Sequence, residues 1–192
     1  MRHFTRLVCT IAFGIAGVAA LAPAQAQDAA LSAEAKEAER QARLQLASDG
    51  LDKLYKLQPY SRAAVEKAVG YAVFEVNSIY AILFVGQKGK GVLFDNATKK
   101  PTFMLSSRVG TGPGVGKQKV YQVFVFKSRS AMDQFMLAGG AGADVGASVS
   151  TGTDGMTRSF NPSIDIYQIP ESGMAVQASW GGTVYTVDEQ IK

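Results

Sequence analysis

The chain has one histidine and one cysteine, His3 and Cys9, and both lie in its first nine residues. Beyond them, a Ser-His-Asp triad, a cysteine nucleophile and a histidine-ligated metal are all excluded. A disulfide is excluded as well, so packing alone must hold the fold. Long apolar runs are also scarce. The one clear example, Leu7 through Ala22, falls short of the roughly 20 residues that a membrane-spanning helix needs.

That run belongs to a leader-like N-terminus. Arg2 and Arg6 give a positive start, and Ala24-Gln25-Ala26 supplies small residues for a peptidase. We expect residues 1–26 to be a secretory signal peptide cut after Ala26. The product is then periplasmic or secreted and without a transmembrane segment, either soluble or peripheral on a membrane. Cys9 opens the apolar run rather than closing it, so lipid attachment there is not expected.

Charge is unevenly distributed. The leader holds two of the 20 basic residues, which leaves 18 against 16 acids, a net charge of +2. Residues 27–85 carry 7 basic and 8 acidic side chains, residues 86–129 carry 9 and 1, and residues 130–192 carry 2 and 7. The middle block therefore promises an electropositive face on a nearly balanced protein. That balance, and the compartment, argue against nucleic acid as a partner.

Residues 28–69 read as helical. Leu31, Ala35, Ala38, Ala42 and Leu46 recur every three or four positions, and Glu39 and Arg43 are spaced for an i,i+4 pair. Asp49-Gly50 reads as a helix stop, with a second helix from Leu51 until Gln58-Pro59 breaks it. Ser61 is placed to cap a third helix ending at Val69. The alanine-rich stripe suits close packing on a sheet. From Gly70 the pattern changes to short strands: Tyr71–Val76, Ile79–Val85, Gly91–Asp95, Thr102–Val109 and Val120–Lys127. Asn77-Ser78 and Gly86–Lys90 read as turns between them. One later helix is expected from Ser130 to Ala138, with Ser130 and Asp133 at capping-box spacing. Further strands are expected near Asp144–Ser150, Phe160–Ile169, Ala175–Trp180 and Thr183–Val187. About nine strands in hairpin-like steps predict an α+β fold. Its N-terminal helices pack on a curved, mostly antiparallel, barrel-like sheet with one later helix. We expect a helical segment at 27–59 and the α+β domain at 60–192.

Three glycine-rich stretches invite functional readings. Gly110, Gly112, Gly114 and Gly116 alternate, clearing one face of a strand either for close packing or for a loop of amides that cradles an anion. The spacing is not a dinucleotide fingerprint. Gly86 to Gly91 lacks the phosphate-loop spacing and reads as a hairpin turn carrying Lys88 and Lys90. Gly139 to Asp144 leads into a strand of very small residues, Ala143 to Val149. Metal and cofactor sites are not expected. Asp144, Asp154 and Asp165 are the only candidate hard-cation acids, and they lack calcium-loop spacing.

In order, these stretches, then Gly142-Ala143-Asp144 with Ala147-Ser148-Val149, then Ser172-Gly173-Met174-Ala175, resemble the SYLF domain family over about residues 60–190. The resemblance implies a non-enzymatic module that binds phosphoinositides and other anionic phospholipids. It also implies that residues 31–57 and the lysines near 88–90 meet lipid. Some yeast relatives bind actin, which an exported protein would not encounter. Pro170-Glu171-Ser172 and Ser179-Trp180 depart from the family pattern. The expected headgroup-binding residues are Lys88, Lys90, Lys99, Lys100, Arg108, Lys117 and Lys119. Anionic phospholipid is the expected partner, with another envelope protein as the second. The competing readings are an envelope structural or protein-interaction module, and a hydrolase built on two carboxylates.

Overall fold

The structure, a computed structural model, describes residues 31–138, 156–157, 161–177 and 182–192. Two helices come first, α1 (Ala33–Leu57) and α2 (Ser61–Lys67), followed by strands β1 (Gly70–Asp95) and β2 (Pro101–Phe126). Helix α3 (Arg129–Ala138) and strands β3 (Met156–Thr157), β4 (Ile164–Gln177) and β5 (Thr183–Val187) complete the described elements. The expected α+β fold is present. Its five described strands form one antiparallel sheet in the order β1-β2-β4-β3, with β5 also on β2, and the sheet does not close into a barrel.

The dominant element is a long ribbon. β1 pairs with β2 from Gly70 opposite Phe126 to Phe94 opposite Pro101, with one register shift between Ile82 and Phe84. Five expected short strands are therefore two strands of 26 residues each. Asn77-Ser78 and Gly86–Lys90 are not turns. The inward alternation runs straight through the first of them, with Val76, Ser78 and Tyr80 all buried. The described parts of the strands expected near 160–169 and 175–180 likewise merge into β4, which pairs with β2 from Gly114 to Phe126. β5 continues along β2 from Met104 to Arg108, at the expected 183–187. The strand expected at Asp144–Ser150 lies outside the described residues.

The ribbon is folded back on itself. A Cβ on Gly91 would strike the Phe74 ring and the Val73 carbonyl, one on Gly89 would meet Val76 and the Glu75 carbonyl, and one on Gly70 would meet the Phe94 carbonyl. The two halves of β1 thus stack face to face, and only glycine allows that approach. The Asn96 amide donates to the Val69 carbonyl at 3.0 Å and holds the open end together. The fold-over point lies at Ile82-Leu83-Phe84, beside the register shift and opposite the glycine repeat.

Two apolar layers fix this arrangement. Inside, Phe74, Phe124, Phe126 and Tyr185 surround Phe135 of α3. The Phe135 ring lies 4.7 Å from Tyr185 and 5.3 Å from Phe124, centroid to centroid. Outside, α1 lays Ala47 and Leu54 on Val73, Tyr121 and Val123. Both faces of the Val120–Phe126 segment are thus covered, as its apolar composition requires.

The helix boundaries differ from expectation at three places. α1 runs unbroken through Asp49-Gly50. Gly50 is buried, and a Cβ there would come within 2.7 Å of Val73 Cγ1, so it serves close helix–sheet approach and not termination. At α3, Ser128 supplies the cap in place of Ser130: its hydroxyl accepts from the Ala131 amide at 3.3 Å. Asp133 instead pairs with Arg129. Gln58-Pro59 ends α1 as expected, but Ser61 does not cap α2: Tyr60 is the N-cap residue, the Ser61 hydroxyl donates to the Gln58 carbonyl, and the helix ends at Lys67, short of the expected Val69. No helix among the described residues is long and apolar enough to cross a membrane.

Candidate functional site

The ribbon places the seven expected headgroup residues in three different situations. Lys99 and Lys100 occupy the turn at the open end, where Lys99 takes a left-handed backbone (φ 58°) and its amide donates to the Asp95 carbonyl. Asp95 organises this turn by accepting from the Ala97 amide at 2.8 Å and from Arg129 Nη1 at 2.7 Å. The Arg129 hydrogen bond holds the Asp95 carboxyl below its usual range. This turn and the fold-over point are about twelve strand residues apart, up to roughly 40 Å of contour. Lys99 and Lys100 therefore do not join the others.

Three more residues are committed within the protein. Arg108 is buried on the inner face, opposite Gln87 of β1 and Thr183 of β5. Lys90 donates to Glu39 Oε1 at 2.7 Å, which ties β1 to α1 and depresses the Glu39 carboxyl. Lys119 sits between Glu75 at 2.9 Å and Glu171 at 3.1 Å, and Glu171 also pairs with Lys53 of α1. The Glu75 contact, with Glu171 behind it, holds the Lys119 ammonium firmly in its charged form.

Lys88 and Lys117 remain. Both are exposed, on outer faces of the two stacked halves, and neither has a described acid as an ion-pair partner. Lys117 stands opposite Ile79 and Lys88 opposite Ser107, so each lies about four or five residues from the fold-over point. No acid occurs from Val76 to Phe94 or from Pro101 to Phe126, and the acids nearest the two lysines, Glu39, Glu75 and Glu171, are held by Lys90 and Lys119. The described acids of the C-terminal third are engaged elsewhere. Asp133 pairs with Arg129, Asp165 with Lys127, Glu171 with Lys53 and Lys119, Asp188 with Arg43, and Glu189 with Lys192.

Beyond the two lysines lies a set of bulky apolar side chains from the expected strands Ile79–Val85 and Thr102–Val109, with Val115 of the glycine repeat. Ile82 is 72% exposed, Val109 71%, Val115 68% and Leu83 67%, and Ile79 and Phe84 are more than half exposed. The glycine repeat explains this. Gly110, Gly112 and Gly114 face inward and are buried. With no side chains between them the halves lie close, and the bulky residues of alternate parity point outward. Of the two readings of the repeat, close packing agrees with the burial of Gly110, Gly112 and Gly114. The Gly86–Gly91 stretch lies within β1, and the Gly139–Asp144 stretch lies outside the described residues.

Among the described residues, no group of three or more acids could hold a metal ion. Asp165 is engaged by Lys127 Nζ at 2.6 Å, while Asp144 and Asp154 lie outside the described residues. What the arrangement offers chemically is an apolar end with a cation on each outer face. The alternation in β1 and β2 could have revealed it: after the glycine at 110, every second residue is too small to fill an interior.

The chain is 32% identical over 147 residues to Beta cell expansion factor A of Aeromonas veronii. The match covers 76% of this chain and 56% of the relative, so the chain spans about half the length of the curated relative it matches. No known family profile matches the chain.

Proposed function

We propose that the chain is an exported SYLF-type module that binds anionic phospholipid headgroups at a membrane surface, without catalysis, through the folded end of the β1–β2 ribbon. The observation that carries this reading is the pair Lys88 and Lys117. Both are exposed beside an apolar end, and the acids nearest them, Glu39, Glu75 and Glu171, are held by Lys90 and Lys119. The SYLF resemblance and the similarity to the Aeromonas veronii protein over most of the chain support the module as a unit.

The magnitudes narrow the mechanism. Each basic residue at an anionic surface contributes about 1 kcal/mol. Two lysines then give about 2 kcal/mol, a factor of about 30 in affinity. The wider set of seven would have given more, but Arg108 is buried, Lys90 and Lys119 already hold carboxylates, and Lys99 and Lys100 sit at the far end. Charge thus selects the lipid and supplies only part of the binding.

Vesicle flotation tests the reading. Binding is expected to phosphatidylcholine vesicles that contain phosphatidylglycerol, and to weaken strongly by about 0.5 M salt as screening shortens the range of the field. Equal binding to neutral vesicles would remove the charge argument. Salt-insensitive capture of a protein partner, with no vesicle binding, would favour the envelope interaction module instead.

A further inference from the structure

We propose that the fold-over point of the ribbon is a wedge that enters the bilayer. In this arrangement Ile82, Leu83 and Phe84, flanked by Ile79, Val109 and Val115, pass below the lipid phosphates while Lys88 and Lys117 stay level with them. This deepens the lipid-binding reading and rests on it.

Three independent observations converge on the wedge. The first is exposure. Six large apolar side chains stand in solvent at one end of the molecule, whereas the rest of the ribbon, Leu105 apart, buries its large apolar residues at least in part, many of them under α1, α3 and β4. A contiguous apolar patch of this kind marks an interaction surface.

The second is backbone conformation. Ile82 adopts φ 57°, in the left-handed region that a β-branched residue rarely enters. Glycine fills many other positions of this ribbon, including Gly86, Gly89 and Gly91, yet a bulky isoleucine occupies the strained one. A strained conformation that is kept despite an easy relief points to a use for the side chain that requires it.

The third is charge. The wedge and its flanks carry lysines and no acid, so they do not complement a second copy of themselves. A surface of anionic lipid does complement them. The dimensions also agree. A rise of about 3.3 Å per residue sets Leu83 up to some 16 Å of contour beyond Lys88, so a ribbon tilted in the interface carries its tip about 5–10 Å below the phosphates, the depth at which interfacial elements lodge.

The experiment uses the full chain with Cys9→Ser and a single Leu83→Cys carrying an environment-sensitive fluorophore. It is mixed with phosphatidylcholine vesicles with and without phosphatidylglycerol, and nitroxide-labelled acyl chains serve as quenchers. We expect a blue shift and quenching by shallow acyl nitroxides on phosphatidylglycerol vesicles. A fluorophore at Lys99→Cys is expected to remain water-exposed. Leu83→Asp, an exposed site whose folding is checked by circular dichroism, is expected to weaken vesicle partition at least tenfold. Wild-type binding with an unquenched, water-like probe at 83, or unchanged binding of Leu83→Asp, would overturn the wedge and leave the headgroup contact standing. Absence of wild-type vesicle binding would overturn both. A dimer in sedimentation that Leu83→Asp abolishes, with no vesicle response, would assign the apolar end to a second copy and overturn the proposal.

Discussion

Arg43 donates through Nη2 to Asp188 Oδ2 at 2.9 Å, and both side chains are buried. The pair joins α1 to the segment after β5. Arg43 also donates from Nε to Glu39 at 2.9 Å and from Nη1 to the Met104 carbonyl at 3.0 Å, so its guanidinium spans three elements. Removing one member of a buried pair leaves the other charge without compensation, at a cost of about 3–5 kcal/mol. Asp188→Ala is expected to lose stability of that order in urea melts. Arg43→Lys is expected to recover little of what Arg43→Ala loses, because an ammonium cannot reproduce the fork geometry.

Gly50→Ala separates two roles for one residue. If Gly50 were an interior residue of α1 with open space beside it, alanine would stabilise the helix by up to about 1 kcal/mol through helix propensity. Here a Cβ would meet Val73 Cγ1 at 2.7 Å and Tyr121 Cδ1 at 3.1 Å, and Val73 is wholly buried. Overpacking of this kind costs about 1–3 kcal/mol, which outweighs the propensity gain. The variant is expected to melt at a lower temperature than the wild type; a higher melting temperature would contradict the close approach.

These residues also show which features could be read from sequence. The i,i+4 pair of Glu39 and Arg43 and the packing stripe of α1 were legible because helical periodicity reports local geometry. The helix before β3 and the strand at 183–187 were legible for the same reason. The continuity of β1 was not. Asn77, Ser78 and the glycine-lysine run carry turn chemistry, but their conformation is set by pairing with β2, from Lys90 opposite Leu105 to Asn77 opposite Lys119, and tertiary contact overrides local preference. The seven basic residues were found by counting charge. Their division between the folded end, the open end and internal ion pairs depends on register, which composition does not report.

Acid is expected to loosen the contacts between α1 and the sheet. The Glu171 carboxyl is held below its ordinary value first by Lys53 and then by Lys119, and the Glu39 carboxyl first by Lys90. A carboxylate whose pKa is depressed on folding contributes stability that is fully present above its unfolded value and lost as pH falls through the folded one. Stability should therefore be level from pH 7 to about 5 and decline below about 4.5, where unfolded glutamates begin to bind protons. Glu171→Gln is expected to flatten that decline in thermal melts run from pH 6 to pH 3. An unchanged slope would show that the Lys53–Glu171–Lys119 group contributes nothing to acid sensitivity.

The two ends of the ribbon make the headgroup reading separable by charge-matched variants. Lys88→Ala with Lys117→Ala and Lys99→Ala with Lys100→Ala remove the same net charge, so any long-range effect of total charge is shared. If the folded end meets the membrane, the first pair loses about 2 kcal/mol on phosphatidylglycerol vesicles, a factor of about 30 at low salt. The second pair, at the far end of the molecule and beyond a Debye length of about 10 Å, should lose little. Neither substitution should alter the melting temperature appreciably, since all four side chains are exposed and have no described acid partner. Equal losses from the two pairs would mean that the basic middle block acts diffusely, with no oriented contact.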